Sequence, residues 1–284
     1  MTTAQARQLI ASSRPRRRLH AFRLGAMLAS GILIGVILAN PAALALPSVA
    51  SRIAPLVAGL TIVAVARTAQ RRSQRLVERW TQAHEAVLLE DWPTADRSFS
   101  RMLANPVNDP SLRTQGLLGL AAVADHHHDY ETSQILYGQV LHEHLGHYAQ
   151  LQTAAIGMAA SMLRTENLTG AVELIDALQR QNLPRPWKAH VELLRLFREV
   201  VMGQYDDLLE AAEDRRDLFR SCLSTRSGYG YGLMALGFHR RGHTRQAGDL
   251  WGDATLLVAP ARLVDRFPQL AELAEQYPPT EVPL

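Results

Sequence analysis

The 284-residue chain is poor in the residue types that form crosslinks or mark nucleic-acid binding. It has one cysteine, Cys222, so an intrachain disulfide is impossible and nothing indicates an oxidising compartment. A lone cysteine can act as a nucleophile, but in an apolar helical pattern we interpret Cys222 as a small packing residue. Aromatic residues make up only 6% of the chain and do not alternate with its N-terminal arginines, so no stacking platform for nucleic acid is predicted.

The glycine-rich and histidine-containing motifs of common enzymes are incomplete in this sequence. The run Gly228-Tyr-Gly-Tyr-Gly232 lacks a following Lys-Ser/Thr and a preceding strand, so it fails both nucleotide fingerprints and predicts a flexible helix start. His142-Glu143-x-x-Gly146 lacks the second histidine of the zinc-protease spacing. No nucleophile and base are paired in sequence, so we predict no catalytic residues and not an enzyme.

Two groups of histidines raise the question of a metal site. Residues 126–128 form one group, and His142, His144 and His147 form the other. The repeat described below places them at opposite ends of one helix, roughly 20 Å apart at 1.5 Å per residue. They cannot share one ion within a single repeat, so we predict neither a metal site nor a cofactor.

Charge is distributed unevenly along the chain. Residues 1–79 contain 12 arginines and one acid, Glu78, whereas the remaining residues carry 18 basic and 26 acidic side chains. The arginines flank two apolar stretches, residues 22–39 and 47–66, each near the length of a membrane span. By the positive-inside rule, both ends of such a hairpin face the cytoplasm. We therefore predict a two-pass protein of the cell (inner) membrane, with anionic lipids bound by Arg14–Arg23 and Arg67–Arg79.

Three features of these stretches leave alternatives open. Arg52 interrupts the second stretch, which spans the membrane fully only if that side chain reaches the far interface. The first stretch and Ala43-Leu-Ala45 are also similar to a secretory signal with its cleavage site, and we favour the uncleaved anchor. Small residues at Gly31, Gly35, Ala54 and Ala58 allow close packing of the two spans or of another helix.

From about residue 76 one pattern recurs five times. In copies one to three a polar residue precedes a large apolar, a small and a second large residue: Asp91-Trp92-x-x-Ala95-x-x-x-Phe99, Asp129-Tyr130-x-x-Ser133-x-x-x-Tyr137 and Asn167-Leu168-x-x-Ala171-x-x-x-Ile175. Copies four and five are weaker matches that follow Gly203 and Gly242: Tyr205 and Leu208, then Thr244, Ala247 and Trp251. The steps of 38, 38, 37 and 39 residues predict an array of helical repeats.

These residues resemble the tetratricopeptide repeat (TPR) family over about residues 76–260. Copy four departs from the family pattern, with Arg195 and Glu199 where apolar residues are usual. Two apolar segments before such repeats are also similar in architecture to the haem-biosynthesis-associated membrane tetratricopeptide proteins of bacteria. We therefore predict an all-α fold: an N-terminal transmembrane helical hairpin followed by a TPR-like α-solenoid of about five helix pairs. Its segments are a basic cytoplasmic N-terminus, two transmembrane helices, a repeat domain with a C-terminal capping helix and a disordered tail: residues 1–21, 22–66, 67–277 and 278–284.

The resemblance implies a concave groove lined by the first helix of each copy. Mapped onto this sequence, its lining is largely apolar: Trp80, His84, Leu118, Ile156, Leu163, Arg164, Phe197, Val200, Tyr229 and His239. In the family, a clamp that grips a peptide carboxylate uses Lys and Asn at set groove positions. Here those positions hold Trp80, His84, Leu118 and Ala122, so no carboxylate clamp is expected. The expected ligand is instead an apolar or amphipathic helical peptide. The sequence does not decide whether the groove is open or filled by the chain itself.

The predicted function is that of a membrane-anchored scaffold that recruits a protein partner at the cytoplasmic face. The alternative is an assembly subunit of a membrane complex that contacts its partners through transmembrane helices. No nucleic-acid partner is expected, and a homo-oligomer is left open.

Overall fold

A computed structural model describes residues 1–15 and 49–278, and every regular element in these ranges is helical. The all-α part of the prediction is confirmed for these ranges. In chain order the α-helices are α1 (Thr3–Ser12), α2 (Val49–Leu88), α3 (Trp92–Leu103), α4 (Pro110–His126), α5 (Tyr130–His142), α6 (Tyr148–Arg164), α7 (Leu168–Gln179), α8 (Arg185–Met202), α9 (Tyr205–Glu210), α10 (Ala212–Cys222), α11 (Ser227–Arg240), α12 (Thr244–Leu257), α13 (Pro260–Arg266) and α14 (Ala271–Gln276). Short 3-10 turns occupy Ser224–Arg226 and Pro268–Leu270.

Neighbouring helices from α2 to α12 pack as five consecutive hairpins. Helix α2 pairs with α3, α4 with α5, α6 with α7, α8 with both α9 and α10, and α11 with α12. The first helices of the hairpins (α2, α4, α6, α8 and α11) also contact one another in chain order. Each hairpin therefore buries its apolar side against its neighbours, an arrangement compatible with an α-solenoid.

The turn inside each hairpin has the same geometry in all five copies. One residue adopts a left-handed conformation, with φ between 58° and 79°: Glu90, His128, Glu166, Gly203 and Gly242. The next N–H then donates to the carbonyl five residues earlier, at 2.8–3.0 Å, which is the long hydrogen bond of a Schellman motif. In the first three copies Asp91, Asp129 and Asn167 then cap the second helix by accepting a backbone N–H three residues on. The polar residue of the sequence pattern is thus the helix cap.

Copy four is distorted because its second helix is broken into α9 and α10. Glu199 on α8 is 1% exposed and accepts two hydrogen bonds from Arg215 on α10, at 2.6 and 2.7 Å. An ionised carboxylate in a core requires a partner of opposite charge. The second helix of this copy breaks at Ala211, between α9 and α10. Helix α10 carries Arg215, the partner of Glu199.

Helix α1 packs against α3 and α5, at the start of the array. Ala6 and Ile10 are buried in this contact, and the fully buried Ser13 accepts a hydrogen bond from Arg113 Nε at 3.1 Å. Arg113 also donates to the Glu143 carboxylate, which pairs with Arg14 as well. The first part of the predicted basic N-terminus is therefore a docked helix in the structure.

The predicted N-terminal transmembrane hairpin is not supported. Within residues 1–15 and 49–278, no helix is long and apolar enough to cross a membrane. The second predicted span is the beginning of α2, a single helix of 40 residues that continues into the first hairpin. Only residues 53–66 separate Arg52 from Arg67, and that length of helix, about 21 Å, falls short of the roughly 30 Å of bilayer hydrocarbon.

Other predictions for the two ends of the chain fall wholly or partly outside the described residues. The first apolar stretch, Gly31, Gly35, the alternative cleavage site and Arg16–Arg23 lie in the range 16–48, and the tail is described only as far as Pro278. Ala54 and Ala58 lie within α2. Arg67, Arg71, Arg75 and Arg79 are exposed on α2, and their binding of lipid stays a prediction.

Candidate partner-binding groove

The predicted groove residues lie on the first helices, and the structure divides them into two sets. Leu163, Phe197 and Val200 are buried, whereas Tyr229, His239 and Arg164 are partly buried. At the other end of the array Trp80, Leu118 and Ile156 are also partly buried, and His84 is exposed. We use the term first-helix face for the surface that these ten residues line.

The C-terminal segment of the chain, residues 259–277, crosses the first-helix face. Arg262 donates two hydrogen bonds to Glu90 in the turn of the first hairpin, at 2.7 and 2.6 Å. Arg266 donates to Asp125 at the end of α4, at 2.6 Å, and Asp265 lies 3.2 Å from His128 Nε2. The segment therefore reaches back to the turn ends of the first two hairpins, although it follows the fifth in sequence.

Apolar contacts hold the same segment against the fourth and fifth hairpins. The Phe267 ring packs edge-on against Phe197, with ring centroids 4.9 Å apart, and against Tyr229 at 5.9 Å. Leu263 and Leu270 are fully buried in the same core cluster. Further along, the Tyr277 ring contacts that of His239, 6.0 Å away. This end of the predicted groove is therefore occupied by the chain itself.

A charged cluster forms where this segment meets α4 and α6. It consists of Asp125, Arg164 and, from the segment itself, Arg266. The Arg164 guanidinium lies 3.6 Å from Asp125 and between 5.3 and 5.7 Å from the ring centroids of three aromatic residues: Tyr130, Phe197 and Phe267. Burial, together with the charge of Arg266, lowers the pKa of Arg164 to about 10. For Arg266 burial acts in the same direction, but the Asp125 carboxylate outweighs it and raises the pKa. The Asp125 carboxylate thus forms ion pairs with both the Arg164 and the Arg266 guanidinium groups.

The other end of the first-helix face remains accessible. The Trp80 and His84 rings stack on α2, with centroids 5.3 Å apart and planes 9° from parallel. One helical turn before Trp80, the side chain of Val77 is 44% exposed. Together with Leu118 on α4 and Ile156 on α6, these residues give a mixed aromatic and aliphatic surface of the kind that takes the apolar side of a helical peptide.

The two histidine groups have separate environments. His126 stacks on Trp92 with ring centroids 4.1 Å apart, and burial lowers its pKa. His128 Nδ1 lies 2.6 Å from the Tyr130 hydroxyl. His147, by contrast, immediately precedes α6. In the part of the chain that the structure describes, no group of three or more His, Cys, Asp or Glu side chains is arranged to hold a metal ion.

Sequence reasoning missed the role of the C-terminal segment. The segment Pro260–Arg266 is only seven residues long and lies between prolines, which mark helix ends, so the repeat pattern assigns it no role. Its two arginines have acceptors that lie more than 140 residues away in sequence, so no local pattern reveals the contact.

No family model, curated protein or solved structure matches this chain. Membership of the TPR family therefore stays a prediction.

Proposed function

We propose that the chain is a helical-repeat scaffold that binds a segment of a protein partner on its first-helix face. The supporting observation is that this face already holds a short helical segment, α13, through ion pairs and one aromatic anchor. The accessible end, with Trp80, His84, Leu118 and Ile156, offers a further surface beside it. A helix that lays an apolar side into such a groove is a common mode of peptide recognition.

The proposal does not include a membrane anchor or contacts through transmembrane helices, because the transmembrane hairpin is not supported. The location at a cell membrane stays a prediction. The accessible surface near Trp80 takes the apolar side of a partner helix wherever the chain resides.

Site-specific photo-crosslinking in cells tests this proposal. A crosslinking residue at Leu118 or Ile156 should capture one defined protein, and Trp80→Ala should reduce the yield at Leu118. The same residue at Arg101 or Glu173, exposed on second helices, is the control. Equal products from first-helix and second-helix positions, or none from either, would show that the first-helix face is not the binding surface.

A further inference from the structure

Helix α13 is connected to the rest of the chain through extended residues at both ends. Val258 and Phe267 flank the segment with φ of −137° and −136°. Rotation about an extended residue re-orients a helix without breaking the hydrogen bonds inside it. Displacement of Pro260–Arg266 can therefore leave α12 intact, although it withdraws the fully buried Leu263 from the core.

The contacts of α13 define a recognition pattern with three positions. An arginine is held by Glu90, a second arginine four residues later is held by Asp125, and the aromatic residue that follows packs on Phe197 and Tyr229. One helical turn separates the two arginines, so both project from the same side of the helix. The pattern is therefore Arg-x-x-x-Arg-Phe on a helical segment.

The occupant from this chain leaves part of the site without hydrogen bonds. Arg164 is 6% exposed and its Nε makes no hydrogen bond, whereas its Nη1 and Asp125 Oδ1 have only each other, as an ion pair at 3.6 Å. A buried polar atom without a partner carries a desolvation cost. α13 therefore occupies the site without providing an acceptor for Arg164 Nε.

We propose that Glu90, Asp125 and Arg164, with Phe197 and Tyr229, form a recognition site for a basic-aromatic helical segment of a protein partner. The partner carries the Arg-x-x-x-Arg-Phe pattern and binds by displacing α13. This inference rests on the proposed function, because it names the chemistry of the segment that the scaffold binds. The chain's own segment lowers the apparent affinity of the partner by the fraction of time that it occupies the site.

A fluorescent synthetic peptide of residues 258–277 serves as the probe in anisotropy titrations with the full chain. The wild-type chain should bind it weakly, and the variant R266A/F267A should bind it at least tenfold more tightly, because its own segment no longer competes well. Changing Arg266 to Ala in the peptide should cost at least tenfold on that variant, but less than threefold once D125N is added. This dependence on both partners assigns the contact to Asp125.

The control is Arg216→Ala, which removes an arginine from an exposed ion pair with Asp253 and should leave peptide affinity unchanged. Circular dichroism checks the fold of each variant. If R266A/F267A does not fold, the wild-type chain is labelled with 15N, so that its fragments differ in mass from those of the peptide, and is mixed with excess peptide; deuterium uptake at its own Pro260–Arg266 should rise at least fivefold. Affinities that are equal for all variants, or an uptake that the peptide does not change, would show that α13 is a permanent cap. The crosslinks from Leu118 would be unaffected by that outcome, so the two proposals fail separately.

Discussion

The Arg262 guanidinium and the Glu90 carboxylate are joined by two hydrogen bonds, of 2.7 and 2.6 Å, across 172 residues of sequence. This pair connects the turn of the first hairpin to the segment that follows the fifth. Both side chains are at least half exposed, so the pair contributes little to global stability. Its main effect is to fix where the N-terminal end of α13 lies on the first-helix face.

Replacing Glu90 by Ala should therefore separate local from global effects. We expect the free energy of unfolding to fall by less than about 1 kcal/mol, since exposed ion pairs contribute about 0–1 kcal/mol. Deuterium uptake in Pro260–Arg266 should nevertheless increase severalfold, because local opening of α13 becomes easier. Asp253→Ala breaks the comparably exposed pair with Arg216 and should leave that uptake unchanged. Unaltered uptake in the Glu90 variant would mean that Leu263, Arg266 and Phe267 hold the segment without help from this pair.

Close helix packing predicts opposite effects for two glycine substitutions. A Cβ added at Gly119 would overlap the ring of Phe99, which is 2% exposed and would have to shift within the core. At Gly252, also within a helix, nothing lies within 4 Å. Alanine favours a helix by about 1 kcal/mol at both positions, but overpacking costs about 1–3 kcal/mol at Gly119 only. Urea unfolding should therefore show Gly252→Ala to be the more stable variant by about 1–3 kcal/mol. Equal stabilities would contradict the packing of α4 against α3.

The regular part of the fold could be predicted from the sequence because each repeat contains local signals, namely a helix cap and small residues at set positions. The residue before each cap is left-handed, and caps such as Asp91 and Asp129 follow at the step of the apolar pattern. Small residues such as Ala83 and Ala121 are fully buried where neighbouring helices approach each other. These signals lie within one hairpin, so a single sequence contains them.

The parts that the sequence did not reveal depend on contacts between distant segments. Nothing in the local sequence distinguishes Arg14, which follows α1, from Arg266 in the C-terminal segment, but Arg14 pairs with Glu143 and Arg266 with Asp125. By its length, the apolar stretch of residues 47–66, which Arg52 interrupts, also predicts a membrane span. In the structure, residues 49–66 begin α2, the first helix of the first hairpin. To predict these contacts one must know which distant residue each side chain meets, and the local periodicity of the sequence does not give that information.

The buried pair of copy four gives a test of why this repeat is irregular. Glu199→Leu leaves Arg215, which is 2% exposed, without its main acceptor, and only Glu192 at 3.4 Å remains nearby. We expect a loss of about 3 kcal/mol in the free energy of unfolding, because a buried charge then loses its two short hydrogen bonds and keeps only the more distant Glu192. The double variant E199L/R215L should recover most of that loss, since two apolar residues replace the pair. A double variant no better than the single one would mean that the packing around α10 requires the guanidinium itself.

The docking of α1 should depend on pH through Glu143. Burial by itself raises the pKa of this carboxyl, but the hydrogen bond and charge of Arg113, with the charge of Arg14, lower it below the ordinary 4.5. Because the pKa is lower in the folded than in the unfolded state, the stabilisation is complete above about pH 4.5. It is lost as the pH falls from there through the folded-state pKa.

The difference in unfolding free energy between the wild-type chain and E143Q isolates this contribution, measured by urea unfolding at pH 6, 5, 4 and 3. That difference should be largest at pH 6 and shrink toward pH 3, because other carboxyls titrate equally in both proteins. The protection factors of the amides in Thr3–Ser12, which correct for the slower chemical exchange at low pH, should fall over the same interval in the wild type and approach the lower, nearly constant values of E143Q. Glu131→Gln, on an exposed position of α5, is the control and should show a difference that stays near zero. A Glu143 difference that is constant from pH 6 to pH 3 would mean that Ala6, Ile10 and Ser13 hold the helix without help from the charge.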